Sequence, residues 1–280
     1  MNRILEKTSL NPTVTKIVVD APLIAKKAQP GQFIILRAVE DGERVPLTIS
    51  DYDREKGSVT IVFQIVGEAT KELNFLHEGD SICDFVGPLG KPTATDHLNK
   101  VCVVGGGVGC AIAYPIAKKL HKIGCEVHTV AGFRNKDLVI FDKEFEAVSD
   151  VVKIMTDDGS YGEKGLVTNA LEELIAKGNE YDEVIAIGPL IMMKFVCALT
   201  KKYNIKTTVS MNPIMIDGTG MCGCCRLTVG GETKFACIVC PDFDGHLVDF
   251  DEAMRRGTMY QDFESKKREA TCNLFKKEAL

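Results

Sequence analysis

The sequence has no excess of basic residues, no long apolar run and no internal repeat. Its formal net charge is −5, and an acidic chain is not attracted to nucleic acid or to anionic membranes. No segment approaches the roughly 18 consecutive apolar residues that a membrane-spanning helix needs. The opening stretch MNRILEKTSLNP also lacks the apolar core of a signal peptide. These absences predict a cytoplasmic protein whose partners are neither nucleic acid nor membrane.

Cysteine, by contrast, is plentiful, and five of the eleven cysteines lie between residues 216 and 240. Because thiols stay reduced in the cytoplasm, such clustering indicates metal binding or redox chemistry rather than disulfides. The others are spread along the chain, mostly in apolar runs, and are expected to be small buried hydrophobic residues. They are Cys83, Cys102, Cys110, Cys125, Cys197 and Cys272.

Two kinds of pattern divide the 280 residues. Between residues 12 and 90, short β-like runs separated by turn signals predict an antiparallel barrel or sandwich. From residue 100, strands alternate with helices, which predicts a parallel α/β sheet; one of these helices is predicted over KDLVIFDKEFEAVS, residues 136–149. The predicted regions are a β-barrel domain over 1–97, a nucleotide-binding α/β domain over 98–208, a metal-binding segment over 209–248 and a helical tail over 249–280.

The stretch VVGGGVG places Gly105, Gly107 and Gly109 between a predicted strand and a predicted helix. Glycines at this junction let the backbone approach a pyrophosphate, and the helix N-terminus offers free N–H groups. The context therefore favours nucleotide binding over a merely tight turn. Asp157, in the loop TDDGSYGEKG, follows another strand at the same sheet edge, and belongs either to the nucleotide site or to an ordinary acidic loop.

Two stretches of the predicted barrel are candidates for a ligand site. In ERVPLTIS, Arg44 and Thr48 share one face of a strand, so both side chains can meet one ligand; a solvated arginine is the alternative. In GEATKEL, Gly67 and Thr70 open a short helix whose terminus suits an anion; a simple helix cap is the alternative.

The clustered cysteines fit two metal sites. The spacing Asp217-x4-Cys222-x2-Cys225-x11-Cys237 follows the rhythm of plant-type ferredoxins with aspartate as the first ligand. Taking Cys240 in place of Asp217 gives four thiolates for a zinc ion. The flanking glycines favour a [2Fe–2S] cluster, because they let backbone N–H groups point at sulfide. A neighbouring barrel and nucleotide fold also make an electron carrier more useful than a structural metal.

The order of barrel, nucleotide fold and cysteine segment resembles the ferredoxin–NADP reductase superfamily. Within it, the chain is similar to the small subunits of NADH-dependent reduced ferredoxin:NADP oxidoreductases, also called sulfide dehydrogenase small subunits. The stretches that carry this resemblance are RVPLTISDYD, VVGGGVG, TDDGSYGEKG, SMNPIMIDGTGMCGCCRLTVGG and FACIVCPDFDGH. Electron-transfer subunits of dihydroorotate dehydrogenase are close cousins of the same group.

The resemblance implies that the barrel binds FAD. Its flavin strand would be Pro46-Leu47-Thr48, where Leu47 replaces the usual aromatic residue and Arg44 lies one residue earlier than the common arginine. The loop FVGPLGKPT would close over the FAD phosphates. The residues implied at the FAD site are Arg44, Pro46, Leu47, Thr48, Gly67, Thr70, Gly87 and Gly90.

The resemblance also implies the pyridine-nucleotide and cluster residues. Gly107 and Gly109 would line the nucleotide site with Gly132, Arg134, Gly188 and Pro189. NAD(H) is the expected nucleotide, and NADP(H) stays possible because Arg134 and Lys136 can reach a 2′-phosphate. The implied cluster ligands are Asp217, Cys222, Cys225 and Cys237, with Cys224 and Cys240 outside the ligand set.

The implied function is that of an NAD(P)H-dependent flavin iron–sulfur oxidoreductase subunit. It would exchange hydride with NAD(H) and single electrons with a larger partner, a subunit similar to the glutamate synthase small subunit that carries a second FAD and [4Fe–4S] clusters. Together the two subunits would bifurcate electrons and so serve ferredoxin, which this chain meets only indirectly. The alternatives are an electron-transfer subunit of dihydroorotate dehydrogenase and a zinc-stabilised, non-catalytic nucleotide-binding module.

Overall fold

A computed structural model describes residues 2–239 and 241–266. The N-terminal part is a seven-stranded antiparallel sheet in the order β6-β1-β2-β5-β4-β3-β7. Its strands are β1 (Asn2–Asn11), β2 (Val14–Asp20), β3 (Phe33–Arg37), β4 (Arg44–Asp53), β5 (Ser58–Gln64), β6 (Ser81–Ile82) and β7 (Asp84–Leu89). Helices α1 (Pro22–Ala25) and α2 (Glu68–Phe75) lie in the connections.

One stretch of chain forms both edges of this sheet and thereby closes it into a barrel. Strand β6 pairs with β1 at one edge, β7 pairs with β3 at the other, and only Cys83 separates β6 from β7. The inward side chains, among them Ile17, Ile34, Leu36 and Ile61, are fully buried. Each stabilises the fold by roughly 1.5–3 kcal/mol relative to leaving it exposed.

The second part is a doubly wound α/β sheet. Its strands run in the order β11-β10-β9-β8-β12-β13, all parallel. They are β8 (Lys100–Gly106), β9 (Glu126–Phe133), β10 (Val151–Thr156), β11 (Glu163–Lys164), β12 (Glu183–Ile187) and β13 (Thr207–Ser210). The helices are α3 (Cys110–Lys122), α4 (Asp142–Glu146), α5 (Val167–Ala176) and α6 (Leu190–Lys202). The chain order reverses between β8 and β12, where such sheets bind ligands.

Strand β8 is apolar on both faces because helices cover both faces of the sheet. Val101 and Val103 join one core with α3, whereas Cys102 and Val104 join another with α5 and α6. A continuous apolar run is typical of such a central parallel strand.

The helix predicted over 136–149 is wrong in extent. A single 3-10 turn covers Lys136–Leu138, and α4 covers only Asp142–Glu146. Between them, Phe141 has a φ of 61° and Ile140 is buried in the core that α3 shares. Burial of this short apolar run interrupts the helix, since a helix passing through it would not present Ile140 to that core.

The cysteine-rich segment forms a small unit attached to the end of the parallel sheet. Strands β14 (Arg226–Val229) and β15 (Glu232–Phe235) form a hairpin, followed by α7 (Ala236–Val239). Strand β16 (Asp242–Asp244) then pairs antiparallel with β13, and α8 (Phe250–Gly257) follows. Residues 261–266 are again helical, and the rest of the predicted tail, 267–280, lies outside the described residues.

The predicted fold class, an antiparallel barrel followed by a parallel α/β sheet and a small cysteine-rich unit, is confirmed; the residue boundaries of the four regions stay predictions. Among the scattered cysteines, Cys102, Cys110, Cys125 and Cys197 are buried as expected. Cys83 is exposed, and Cys272 falls outside the described residues. No helix in residues 2–239 and 241–266 is long and apolar enough to cross a membrane.

A carboxyl group joins the three parts of the fold. Asp242 in β16 accepts a hydrogen bond of 2.5 Å from the Thr93 hydroxyl, in the segment that leaves the barrel. Ser210, at the end of β13, also hydrogen-bonds to it. Burial raises the pKa of Asp242 to about 6, against the lowering effect of these two hydroxyls.

This raised pKa predicts a pH-dependent contribution to stability. Because the fold favours the neutral carboxyl, the contribution is present at low pH and is lost as the pH rises through about 6. Asp242→Asn stays neutral and keeps an acceptor for Thr93. Between pH 5 and pH 7.5 we expect the stability of this variant to rise by roughly 1–1.5 kcal/mol relative to that of the unaltered protein, since only about one pH unit separates pH 5 from a pKa of about 6. Melting temperatures of both proteins at the two pH values measure this change. An offset that is the same at both pH values would contradict this assignment.

Candidate functional site

The glycine-rich turn lies at the point where the strand order reverses. Gly105 in β8 pairs with Ile187 in β12, and a 3-10 turn over Gly107–Gly109 leads directly into α3. A Cβ at position 109 would lie 2.6 Å from the carbonyl oxygen of Ile187. Only glycine therefore lets the first turn of α3 approach the end of β12 this closely.

Gly107 presents open backbone at the start of this helix. Its φ is 56°, and no atom would lie within 4 Å of a Cβ built on it. Helix α3 has 13 residues and continues directly from the turn, since the Cys110 N–H donates to the Gly107 carbonyl. The N–H groups at the start of the turn therefore have no partner within the helix. A phosphate placed over this turn would meet those N–H groups and the positive end of the helix dipole.

The other predicted nucleotide residues lie along the same sheet edge. Gly132, near the end of β9, pairs with Gly106, and Arg134 is the first residue after β9. Asp157 follows β10 and donates its backbone N–H to the carbonyl of Phe133, at 3.1 Å. Gly188 and Pro189 follow β12. The structure thus gathers all eight predicted nucleotide residues at the carboxyl ends of four neighbouring strands: Gly105, Gly107, Gly109, Gly132, Arg134, Asp157, Gly188 and Pro189.

The predicted flavin strand is the first half of β4. Pro46, Leu47 and Thr48 are all partly exposed, and they lie opposite residues 35, 34 and 33 of β3. Arg44, at the start of β4, is exposed. On the other side of β3, strand β7 carries Gly87 and ends one residue before Gly90. These six predicted residues therefore lie on or beside three adjacent strands.

Gly67 and Thr70 form the beginning of α2. The Thr70 hydroxyl accepts hydrogen bonds from the N–H groups of Val66 and Gly67, both at 3.0 Å, and is 3.0 Å from the Gly67 carbonyl. The Thr70 side chain is buried and caps its own helix. Because the Thr70 hydroxyl is hydrogen-bonded within the start of its own helix, Thr70 can affect a ligand only by holding this helix terminus in place.

The barrel and the nucleotide-binding edge touch through a residue that the sequence analysis missed. Ser50, two residues after Thr48, donates a hydrogen bond of 2.7 Å to the carbonyl of Ala111, two residues after Gly109. The predicted flavin strand and the predicted nucleotide turn are thus neighbours. No sequence signal marks Ser50, because its partner lies 61 residues away.

Two of the predicted cluster ligands are in direct contact: the sulfur atoms of Cys225 and Cys237 are 3.1 Å apart, and both residues are buried. The backbone N–H of Asp217 is directed at the Cys222 sulfur, which is also hydrogen-bonded to the Cys224 thiol. The Asp217 carboxylate accepts hydrogen bonds from Thr219 and from the N–H of Met221. Among residues 2–239 and 241–266, no three His, Cys, Asp or Glu side chains converge on a single point as ligands of one ion. Cys240, the fourth ligand of the zinc alternative, is outside the described residues.

Burial, a hydroxyl and backbone N–H groups together shift the pKa values of these side chains. The N–H groups of Cys224 and Asp217 lower the pKa of the exposed Cys222 thiol. Burial raises the pKa of Cys237 to about 12, although the Gly220 N–H acts in the opposite direction. The Thr219 hydroxyl, with nearby backbone N–H groups, lowers the pKa of Asp217. N–H groups aimed at sulfur and carboxylate suit a site that holds anionic ligands around a metal.

The cluster loop packs directly on the barrel. A Cβ at position 218 would lie 2.5 Å from the end of the Ile35 side chain and 2.9 Å from that of Leu89. Ile35 is the residue of β3 that pairs with Pro46 of the predicted flavin strand. One strand therefore separates the cluster loop from that strand.

Gly220 shows how tightly the loop is folded. Its φ is 91°, and a Cβ there would overlap the side chain of Ile238 in α7. We expect Gly220→Ala to displace the loop and to lower the iron and acid-labile sulfide bound per chain by more than half. Gly231→Ala is the matched control, since Gly231 has a φ of 80° in open space. Both variants bear a similar backbone strain of roughly 1–2 kcal/mol.

Iron and sulfide contents are measured in both variants after identical anaerobic purification. Equal losses in the two variants would show that backbone strain, and not the contact with Ile238, governs the loop.

Comparisons with known proteins concern the cysteine-rich segment and the chain as a whole. Residues 212–249 match the family model described as the iron–sulfur cluster binding domain of dihydroorotate dehydrogenase B. The chain is 52% identical over 274 residues to an "Uncharacterized protein in adh 3'region" of Clostridium beijerinckii, covering 95% of this chain and 93% of that one. It is 45% identical over 264 residues to a dihydroorotate dehydrogenase B (NAD(+)) electron transfer subunit homolog of Thermotoga maritima, covering 94% and 93%.

A solved structure is similar over nearly the whole length. Its title describes flavin-based electron bifurcation by the NADH-dependent reduced ferredoxin-NADP oxidoreductase. The matched chain is 42% identical with a TM-score of 0.92, and the match covers 97% of this chain and 98% of that one.

Proposed function

The chain belongs to the family of dihydroorotate dehydrogenase B electron-transfer subunits, and from this we propose that it links NAD(H) to a larger partner subunit in an electron-bifurcating NADH-dependent ferredoxin:NADP oxidoreductase. It is an NAD(H)-dependent flavin iron–sulfur oxidoreductase subunit of the ferredoxin–NADP reductase type, as its sequence predicts. Its cofactors are FAD, a [2Fe–2S] cluster and NAD(H).

The proposal rests on how the three predicted cofactor sites adjoin one another. The Ser50–Ala111 hydrogen bond joins the predicted flavin strand to the nucleotide turn, and Ile35 joins the same strand to the cluster loop. The three predicted cofactor sites therefore follow one another without an intervening domain. This order is what a protein needs to pass electrons from a nucleotide through a flavin to a cluster.

Bound FAD supplies the chemistry that exchanges hydride with NAD(H) and releases electrons singly to an iron–sulfur cluster. The chain's own residues bind and orient. The turn at Gly107–Gly109 offers N–H groups to the nucleotide phosphates, and β4 presents Thr48 where the family resemblance places the flavin. No side chain has to move a proton from substrate, so a catalytic acid or base is not required.

Four protein ligands suit a centre of two irons, in which each iron takes two of them. Cys225 and Cys237, whose sulfur atoms are 3.1 Å apart, would hold one iron, and the sequence spacing assigns Asp217 and Cys222 to the other. A carboxylate is a suitable anionic ligand for ferric iron.

The similarity to the NADH-dependent reduced ferredoxin-NADP oxidoreductase chain favours bifurcation as the role of the complex. On this proposal the branch point lies in the partner, which carries a second FAD and [4Fe–4S] clusters, and this chain is the branch to NAD(H). The second candidate is a dihydroorotate dehydrogenase, which the names of several relatives favour. Asp217 argues for the first, because dihydroorotate dehydrogenase subunits are expected to have cysteine there.

Exposed apolar side chains around the cluster loop support a partner at this face. Met221 is 89% exposed and Ile216 is 47% exposed, on either side of Asp217 and Gly220. Ile238 and Val239 of α7 are exposed beside them. Contiguous exposed apolar residues at a redox centre are typical of a subunit interface. We place the complex in the cytoplasm, where the cysteines would stay reduced.

Removing one proposed ligand tests the cluster. We expect Cys225→Ser to lose most of the cluster's visible absorption and EPR signal while it keeps FAD. Cys224→Ser, which alters the neighbouring thiol outside the proposed ligand set, should keep both signals. Metal analysis distinguishes the alternatives, since zinc without iron or acid-labile sulfide in the unaltered protein would favour the non-catalytic module.

A change at the exposed apolar face tests whether this chain performs the NADH reaction while bifurcation takes place in the partner. The isolated chain should reduce a dye such as ferricyanide with NADH but should not reduce ferredoxin with NADPH. Met221→Glu should keep this NADH–dye activity and lose copurification with the larger subunit, because it buries a charge in an apolar interface. Leu23→Glu is the control, since Leu23 is 82% exposed on α1.

Bifurcation by the isolated chain would contradict the proposal that the branch point lies in the partner. Copurification of the unaltered chain with a pyrimidine-pathway dehydrogenase would favour the second candidate instead.

A further inference from the structure

Helix α3 contains a proline whose place in the helix has a consequence for the barrel. Pro115 lies five residues after the helix begins at Cys110. Because proline has no backbone N–H, it cannot donate to the carbonyl of Ala111, its partner four residues earlier. Ala111 is buried, 1% exposed, so its carbonyl needs another donor.

The barrel supplies that donor. The Ser50 hydroxyl, itself buried, lies 2.7 Å from the Ala111 carbonyl oxygen. Strand β4 bulges at this point, because Ile49 pairs with Ile61 and Asp51 with Thr60, which leaves Ser50 as the extra residue. A bulge releases a residue from the ladder and redirects its side chain. Here it directs Ser50 at α3.

We propose that Ser50 is a positioning residue for hydride transfer. Its hydrogen bond fixes the strand that carries Thr48 against the helix that begins beside Gly109. With both cofactors bound, the dihydronicotinamide of NADH would give its hydride, with both electrons, to the oxidised flavin, which would leave NAD+ and the two-electron-reduced flavin. This inference rests on the proposed function, because it assumes that the flavin and the nicotinamide lie on these two elements.

A second contact accompanies the hydrogen bond but does not replace it. Asp51, the next residue of β4, forms an ion pair of 2.7 Å with Lys118 of α3. The two side chains are 37% and 45% exposed, and ion pairs at such exposed sites contribute little. The two contacts are equally short, at 2.7 Å, but the Ser50 hydroxyl is buried and sits on a short side chain, whereas Lys118 reaches Asp51 through a long, flexible one. The hydrogen bond therefore restrains the distance between strand and helix more closely than the ion pair does.

A double-mutant cycle tests the contact without any cofactor assay. Pro115→Ala returns a helix donor to the Ala111 carbonyl. We expect Ser50→Ala to lower the melting temperature in the unaltered chain and to lower it by less than half as much in the Pro115→Ala background. Equal effects in both backgrounds would show that Ser50 does not serve the carbonyl that Pro115 leaves unpaired, and would overturn the proposal.

The functional test separates positioning from binding. In flavin-loaded Ser50→Ala, the rate of flavin reduction by NADH, expressed per bound flavin, should fall about tenfold, since displacements of 1 Å or less cost rates of this order. The dissociation constant for NAD+ should change less than about twofold. The deuterium isotope effect with NADH labelled at the transferred position should rise. Ser58→Ala, at a buried serine of β5, should leave the rate unchanged.

If Ser50→Ala does not retain flavin, Pro115→Ala serves in its place, because the new N–H competes for the carbonyl and should also slow reduction. Unchanged rates in the variant that retains flavin would overturn the proposal. An unaltered protein that binds no FAD would instead refute the proposed function.

Discussion

The packing of strand β3 against the cluster loop holds the barrel and the cysteine-rich unit together. Ile35 contacts Gly218 of the loop and pairs with Pro46 of β4. Phe33 and Ile35 belong to the same apolar core as Cys225 and Cys237. Protein cores are packed as densely as organic crystals, so the cluster loop cannot move relative to the predicted flavin strand without repacking this core. Apolar packing thus sets the distance between the cluster loop and that strand.

The nucleotide-binding side is joined to the barrel by polar contacts as well as by apolar packing. Ser50 meets Ala111 inside the interface, and Asp51 meets Lys118 at its border. Val14 and Val62 of the barrel add apolar contact with the core that α3 shares. A directional hydrogen bond restrains distance and angle together. The barrel is therefore joined to the cluster loop by apolar packing and to the predicted nucleotide turn by contacts centred on one buried hydroxyl.

Much of the fold and part of the site follow from local sequence patterns. The strand, glycine turn and helix of VVGGGVG occur where the sequence predicts them, because glycine placement and apolar runs act over a few residues. The helix over 136–149 fails for the opposite reason, since burial of Ile140 against α3 overrides the local pattern. Thr70 makes the capping contacts of the alternative that the sequence left open beside an anion site.

The sequence by itself determined the order of barrel, nucleotide fold and cysteine segment, together with the spacing of Asp217, Cys222, Cys225 and Cys237. Only the tertiary structure decided how these parts meet. Ser50 and Ala111 are 61 residues apart, and Thr93 and Asp242 are 149 apart. Such contacts arise when a buried polar group needs a partner at the position where two folded units touch. No local spacing specifies that position, because it depends on the shapes of both units.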